Sequence, residues 1–187
     1  MGSVTTLKKL DGVQSADFDS KAVEVTVVHD PKRVGEQALM EAITGGSFTP
    51  ILGAGKGSYA ADPEFADGLD VVWVNKDGAD VDPDSLLVEG KITVVDFYAV
   101  WCGPCKDVDR AMSAVLESRP DVALRKIDVA DWDSPVATAR LSGIKALPYI
   151  IVYGPDGKRR DAIAGKDLDR LHAAIGPPPA SMVSKAP

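Results

Sequence analysis

The sequence predicts an α/β protein: a mixed sheet flanked by helices, preceded by a small α+β segment. Three observations predict it. A near-continuous apolar run, Ile92 to Tyr98, suits a central strand buried on both faces. Strand and helix patterns alternate around it from Asp70 to Ile175. A glycine-spaced stretch over residues 53–68 separates this region from a shorter one with strand and helix patterns of its own.

The shorter region spans residues 1–52. Leu7 and Leu10 suit a helix that ends at Asp11-Gly12. Val23, Val25 and Val27 alternate with Glu24 and Thr26, the pattern of a half-buried strand, and Asp30-Pro31 breaks it. Val34, Ala38 and Ala42 share one helical face, which Leu39 and Ile43 widen. Gly45-Gly46 stops that helix, and Phe48 to Leu52 supplies a closing strand. The expected order is helix, strand, strand, helix, strand. No secretory signal is visible ahead of it.

Residues 53–68 read as a linker, because Gly53, Gly55 and Gly57 favour loop over element. The stretch lacks the lysine-serine ending of a phosphate loop. The second region, 69–176, opens with the strand Val71 to Val74 and a turn at Asn75-Lys76-Asp77-Gly78. After Ile92 to Tyr98 a helix starts at Cys102, carries Val108, Met112, Val115 and Leu116 on one face, and ends before Pro120. Val122 to Val129 is the next strand. Ser134 caps a helix whose first position is Pro135, where the missing amide costs nothing, and Gly143 ends it. Tyr149 to Tyr153 and Arg159 to Ala164 are strands joined by the hairpin turn Gly154-Pro155-Asp156-Gly157. Asp167 caps a last helix with Leu168, Leu171 and Ile175, stopped by Gly176. Residues 177–187 open with three prolines and cannot continue the helix, so a mobile tail is expected.

Composition narrows the function. The chain has 187 residues, enough for one or two domains, and 45% hydrophobic with 26% charged residues is ordinary for a soluble globular protein. A net charge of −7 argues against general binding to nucleic acid or to an anionic membrane surface. No apolar run approaches the roughly 18 residues of a membrane span. Two cysteines, Cys102 and Cys105, are too few for a disulfide scaffold or a four-cysteine zinc site.

Those cysteines carry the chemistry. Trp101-Cys102-Gly103-Pro104-Cys105 follows a buried strand directly and opens a helix. Two cysteines three apart can close a small disulfide ring, or supply half of a metal site. At a helix N-terminus the unpaired amides and the dipole stabilise a thiolate, which makes Cys102 the reactive sulfur. Cys105, one turn inside, is expected to be the more sheltered. Asp96 interrupts an apolar strand; a buried, unpaired carboxylate there is costly and its pKa rises, whereas a strand-end aspartate faces solvent.

The run Val94-Val95-Asp96-Phe97-Tyr98-Ala99-Val100-Trp101-Cys102-Gly103-Pro104-Cys105-Lys106 closely resembles the thioredoxin family, over about residues 70–175. The resemblance implies the thioredoxin fold and a thiol–disulfide oxidoreductase. By the same resemblance, Asp96 takes the proton from Cys105, and Ala146-Leu147-Pro148 sits where the family has its cis-proline. Trp101, Gly103, Pro104, Leu147, Pro148 and Gly165 then border the substrate, and no cofactor or metal is implied. The implied partners are protein disulfides and an electron-donating reductase. Arg110 stands where the family has a helix-kinking proline, and Leu147 replaces a small or β-branched residue.

Asp131-Trp132-Asp133-Ser134-Pro135 and the long lead-in from Trp73 to Gly90 look like the envelope-reductant branch of bacteria. That implies an envelope location, with the cytoplasm as the alternative. Residues 4–52, through Leu7-Lys8-Lys9-Leu10-Asp11-Gly12-Val13 and Val25-Thr26-Val27-Val28-His29-Asp30-Pro31, resemble the heavy-metal-associated domain, a ferredoxin-like fold. The first strand and the cysteine-containing metal loop of that family are missing, so metal binding is not carried over. A copper partner whose thiols the second region keeps reduced is the competing reading, and an isomerase or oxidase role stays open. Lys106 either favours the thiolate or stands in solvent, Tyr98 either supports the loop or fills core, and His29 and His172 are expected at the surface.

Overall fold

The computed structural model describes residues 2–19, 22–44, 50–53 and 63–179. The chain forms two units, Met1–Ala61 and Asp62–Pro187.

In the first unit α1 (Gly2–Leu7) leads into β1 (Val13–Asp19), β2 (Glu24–His29) and α2 (Glu36–Thr44). The two strands pair antiparallel with Ala16 opposite Val27 and Phe18 opposite Val25. Leu7, Ala16, Val34 and Leu39 are buried together, and Val13, Val25, Val27 and Ala38 pack around them. Gly12 adopts φ +98°, and a Cβ there would meet the Arg33 Cβ at 2.7 Å. Glycine is therefore required where α1 hands over to β1. Val23 does not join the strand: it turns at φ +55° before β2 begins. The closing strand is not formed where it is described, since Ile51 and Leu52 are irregular and 84% and 62% exposed. Gly45, Gly46 and Phe48 lie outside the described residues.

The second unit runs β3 (Val71–Trp73), a short 3-10 turn (Pro83–Leu86), β4 (Ile92–Tyr98), α3 (Gly103–Ser118), β5 (Val122–Asp128), α4 (Pro135–Arg140), β6 (Tyr149–Tyr153), β7 (Arg159–Ala164) and α5 (Leu168–Ile175). Its sheet has the order β3-β5-β4-β6-β7. The first three strands are parallel, and β6 and β7 run antiparallel to their neighbours. All seven residues of β4 are buried, as a strand with helices on both faces requires. Ile92 and Val94 pack with Val108, Met112 and Leu116 of α3 and Leu171 and Ile175 of α5. Val95 and Phe97 pack on the other face with Val136, Ala137 and Leu141. Asp96 alternates with Val94 and thus belongs to the α3 face.

The helix ends follow local chemistry. The Ser134 hydroxyl accepts from the Ala137 amide and Pro135 starts α4. The Asp167 carboxylate accepts from the Arg170 amide at the start of α5. At the other end of α5, Arg119 donates to the Gly176 carbonyl at 2.8 Å and Arg160 to the Ile175 carbonyl at 3.0 Å. Arg119 also forms a two-pronged ion pair with Asp121, both contacts 2.8 Å.

Part of the stretch read as linker, residues 63–68, lies in the second unit. Phe65 packs edge-on against Trp73 at 5.8 Å and, with Leu69, joins the α3-side core. Residues 63–68 therefore belong to the second unit, because the edge strand β3 leaves Trp73 half-exposed and Phe65 covers part of it. Of the tail, 177–179 are exposed and 180–187 lie outside the described residues.

Candidate active site

The end of β4 delivers Trp101 and Cys102 to the first turn of α3. Cys102 is the N-cap of that helix: its backbone is extended, and its sulfur accepts the Cys105 amide at 3.2 Å. Pro104 sits in the first turn, where it displaces no helical hydrogen bond. Cys102 and Cys105 are joined by a disulfide, with Cα atoms 5.3 Å apart. In this oxidised state Cys102 is 3% exposed and Cys105 1%, so the reactive sulfur is nearly as sheltered as its partner. The disulfide ties the N-cap sulfur back over the first turn of the helix, into the cluster that holds Trp101 and Leu147. The exposed residues beside the pair are Val100 and Pro104.

The other residues singled out from the sequence border the same place. The Leu147-Pro148 peptide bond is cis, and Leu147 lies in the hydrophobic cluster that contains both cysteines. The Gly165 amide donates to the Pro148 carbonyl at 2.8 Å, which joins the end of β7 to the start of β6. Gly165 has φ +83°, a conformation suited to glycine. The Trp101 indole donates to the Ala130 carbonyl at 2.6 Å, and its ring meets Trp132 at 6.3 Å. Tyr98 is core, buried on the sheet face of the cysteines.

Beneath the motif lies an ionic cluster. Asp96 is fully buried but not unpaired: one carboxylate oxygen accepts from Lys126 at 3.0 Å, and the other has no hydrogen-bond partner. Lys126 also contacts Asp109 of α3, and its ammonium lies 4.2 Å from the centre of the Tyr98 ring. Burial pulls the Lys126 pKa down, but Asp96 and Asp109 outweigh it and hold the pKa above the usual lysine value. Sequence reading missed Lys126 and Asp109. Only the fold brings them together: Asp96 and Lys126 are directly paired between β4 and β5, and Asp109 follows Val108 on the buried side of α3.

Lys106 is buried rather than solvated. His29 is half-buried, with its Nδ1 3.0 Å from the Val34 carbonyl, and His172 is exposed. Among the described residues no His, Cys, Asp or Glu side chains group as a metal site, and no helix is long and apolar enough to cross a membrane.

Comparison with known proteins finds relatives of the second unit. The thioredoxin family model covers residues 81–176. The chain is 32% identical to thioredoxin-1 of Schizosaccharomyces pombe over 91 residues, which is 49% of this chain and 84% of that protein. It is 38% identical to the H-type thioredoxin of Chlamydomonas reinhardtii over 88 residues, 46% of this chain and 74% of that one. The X-ray structure of Fasciola hepatica thioredoxin covers 46% of this chain and 80% of its own, at 32% identity and a TM-score of 0.39. A disulfide-forming pair three residues apart at a helix mouth, a cis Leu147-Pro148 bond whose leucine lies in the same cluster, and a matching family model together assign the chain to the thioredoxin family, as a thiol–disulfide oxidoreductase.

Proposed function

We propose that the chain reduces protein disulfides by dithiol exchange through Cys102 and Cys105. The observation that carries this is the pair at the N-terminus of α3 with Leu147, the residue before the cis-proline, in the same cluster. In the dithiol form, the Cys102 thiolate attacks a substrate disulfide; one substrate sulfur leaves as a thiolate and a mixed disulfide forms. Asp96 accepts the Cys105 proton. The Cys105 thiolate then attacks Cys102, the second substrate sulfur leaves and is protonated, and the Cys102–Cys105 disulfide remains. A reductase supplies two electrons and two protons to restore the dithiol. Val100, Trp101, Gly103 and Pro104 border the sulfurs, and the backbone at Leu147 pairs with an extended substrate segment.

Reduction of an insulin disulfide by the reduced chain, followed by turbidity, tests the reading. Cys102→Ser should abolish turnover, and Cys105→Ser should accumulate a mixed disulfide on Cys102. Wild-type turnover by Cys102→Ser would overturn it. A measured reduction potential separates a reductase from an isomerase or an oxidase, since about 30 mV corresponds to 1.4 kcal/mol.

The helix–strand–strand–helix order of the first unit supports a second reading. We infer that this unit is a ferredoxin-like relative of heavy-metal-associated domains that docks a partner, a copper protein whose thiols the second unit keeps reduced. Its expected setting is the bacterial envelope. Cell fractionation tests the location, and recovery of a copper protein crosslinked to the first unit tests the partner.

A further inference from the structure

We propose that Asn75, in the turn after β3, is a positioning residue for the cysteine pair, acting through Asp128 and Ala130 on Trp101. A chain of hydrogen bonds joins it to the site. The Asn75 amide nitrogen donates to the Asp128 carbonyl at 3.0 Å and to the Ala79 carbonyl at 2.7 Å, and its oxygen accepts the Asp128 amide at 2.7 Å. Two carbonyls and one amide leave the side chain a single orientation. Asn75 thereby holds both backbone polar groups of the last residue of β5. The Asp128 carboxylate accepts the Ala130 amide at 2.8 Å. The Ala130 carbonyl accepts the Trp101 indole at 2.6 Å, and Trp101 directly precedes Cys102.

Ala130 is the link that needs holding. Its φ is +55°, in the left-handed region that a residue with a Cβ rarely takes. Backbone outliers of this kind persist only where the surroundings over-determine them, and they gather at functional sites. Here the Asp128 carboxylate fixes the Ala130 amide and the Trp101 indole takes its carbonyl. The same loop is pinned twice more. The Val129 amide donates to the Tyr98 carbonyl at the end of β4 at 2.8 Å, and the Val136 amide to the carbonyl of Gly78, in the same turn as Asn75, at 3.0 Å. The turn thus braces the loop that receives the indole, and it precedes the family-matched residues 81–176.

Removing the Asn75 side chain frees the Asp128 backbone, and with it the carboxylate that keeps Ala130 left-handed. Ala130 then relaxes to negative φ, its carbonyl swings away, and Trp101 loses the partner that orients it beside the sulfurs. The proposal rests on dithiol exchange at Cys102 and Cys105 as the activity, but one arm of its test does not.

The test is hydrogen exchange of the indole protons in the full oxidised chain, read by nitrogen–proton NMR, together with kcat/KM for insulin reduction. Loss of its signal in Trp101→Phe assigns the Trp101 indole. In the wild type that proton should exchange slowly. In Asn75→Ala it should exchange at least about tenfold faster, and kcat/KM should fall about three- to tenfold. Asp128→Ala should do the same, whereas Asp128→Asn keeps an acceptor for the Ala130 amide and should hold both values near wild type. If Asn75→Ala does not fold, the two Asp128 variants carry the test. A fast-exchanging Trp101 indole in the wild type, or one unmoved in the folded alanine variants, would overturn the proposal. So would faster exchange with unchanged kcat/KM, or equal effects of the two Asp128 variants. A wild-type chain that does not reduce insulin would reject dithiol exchange and the role given to Asn75 in it, and the indole readings would separate that failure from a failure of the brace.

Discussion

The Trp101 indole is tied to the Ala130 carbonyl by a hydrogen bond of 2.6 Å. This bond fixes the residue before Cys102 to the loop that follows β5. Trp101→Ala should slow insulin reduction about tenfold, since small misplacements of a reacting group are costly. Trp101→Phe keeps the ring without the donor and should lie between. Equal rates for all three proteins would remove the indole from the mechanism.

Lys126 should be the most sensitive charged position in the second unit. Lys126→Met takes away the cation that two buried carboxylates face, a change that costs about 3–5 kcal/mol. Urea unfolding at pH 7 measures it. The pKa of Lys126 is raised by folding, so its contribution is fully present below the unfolded value near 10.4 and is lost as pH rises through the folded value. The gap between wild type and variant should therefore persist at neutral pH and close only under strongly alkaline conditions.

An acid-side counterpart is Asp121. The hydrogen bonds from Arg119 hold its carboxyl below the usual aspartate value, against the opposing effect of burial. A depressed pKa contributes stability above the unfolded value, near 3.9, that is lost as pH falls through the folded value. Asp121→Asn should cost about 1–2 kcal/mol at pH 7. The difference should shrink in urea titrations below pH 4; a gap that widened there would contradict the assignment.

Packing on the α3 face gives a prediction free of charge. Met112 is wholly buried with Val94, Val108 and Leu116. Met112→Ala should destabilise by about 2–5 kcal/mol through lost transfer energy and the cavity left behind. Thermal unfolding followed by circular dichroism reads it, and the cysteine chemistry at room temperature should be little changed.

Most of the second unit was legible from local signals. Asp167 and Gly176 bracket α5, the four residues from Gly154 to Gly157 turn β6 into β7, and the near-continuous apolar run of β4 announces a strand covered on both faces. The cysteine motif likewise points to its place at the mouth of α3. What escaped was non-local. Lys126 reads as a solvent-facing residue of a strand until the register sets it opposite Asp96. Asp109 reads as a surface helix residue until α3 is laid on the sheet. Phe65 looks like linker because only the exposed flank of Trp73 gives it something to cover. In the first unit the valine alternation was right in phase and one residue too long, because Val23 turns instead of extending. The sheltering of Cys102 depends on its bond to Cys105, a pairing that exposure arguments for a free thiolate do not include.

The two guanidinium groups at the end of α5 bear on how the unit breathes. Helix ends usually fray because their last carbonyls lack partners. Here Arg119, at the end of α3, and Arg160, on β7, occupy those of Ile175 and Gly176. Releasing the final helical turn therefore means parting contacts with two other elements at once. Amide deuteration of Leu171 to Ile175 should then follow global opening and lag far behind that of an ordinary terminal helix.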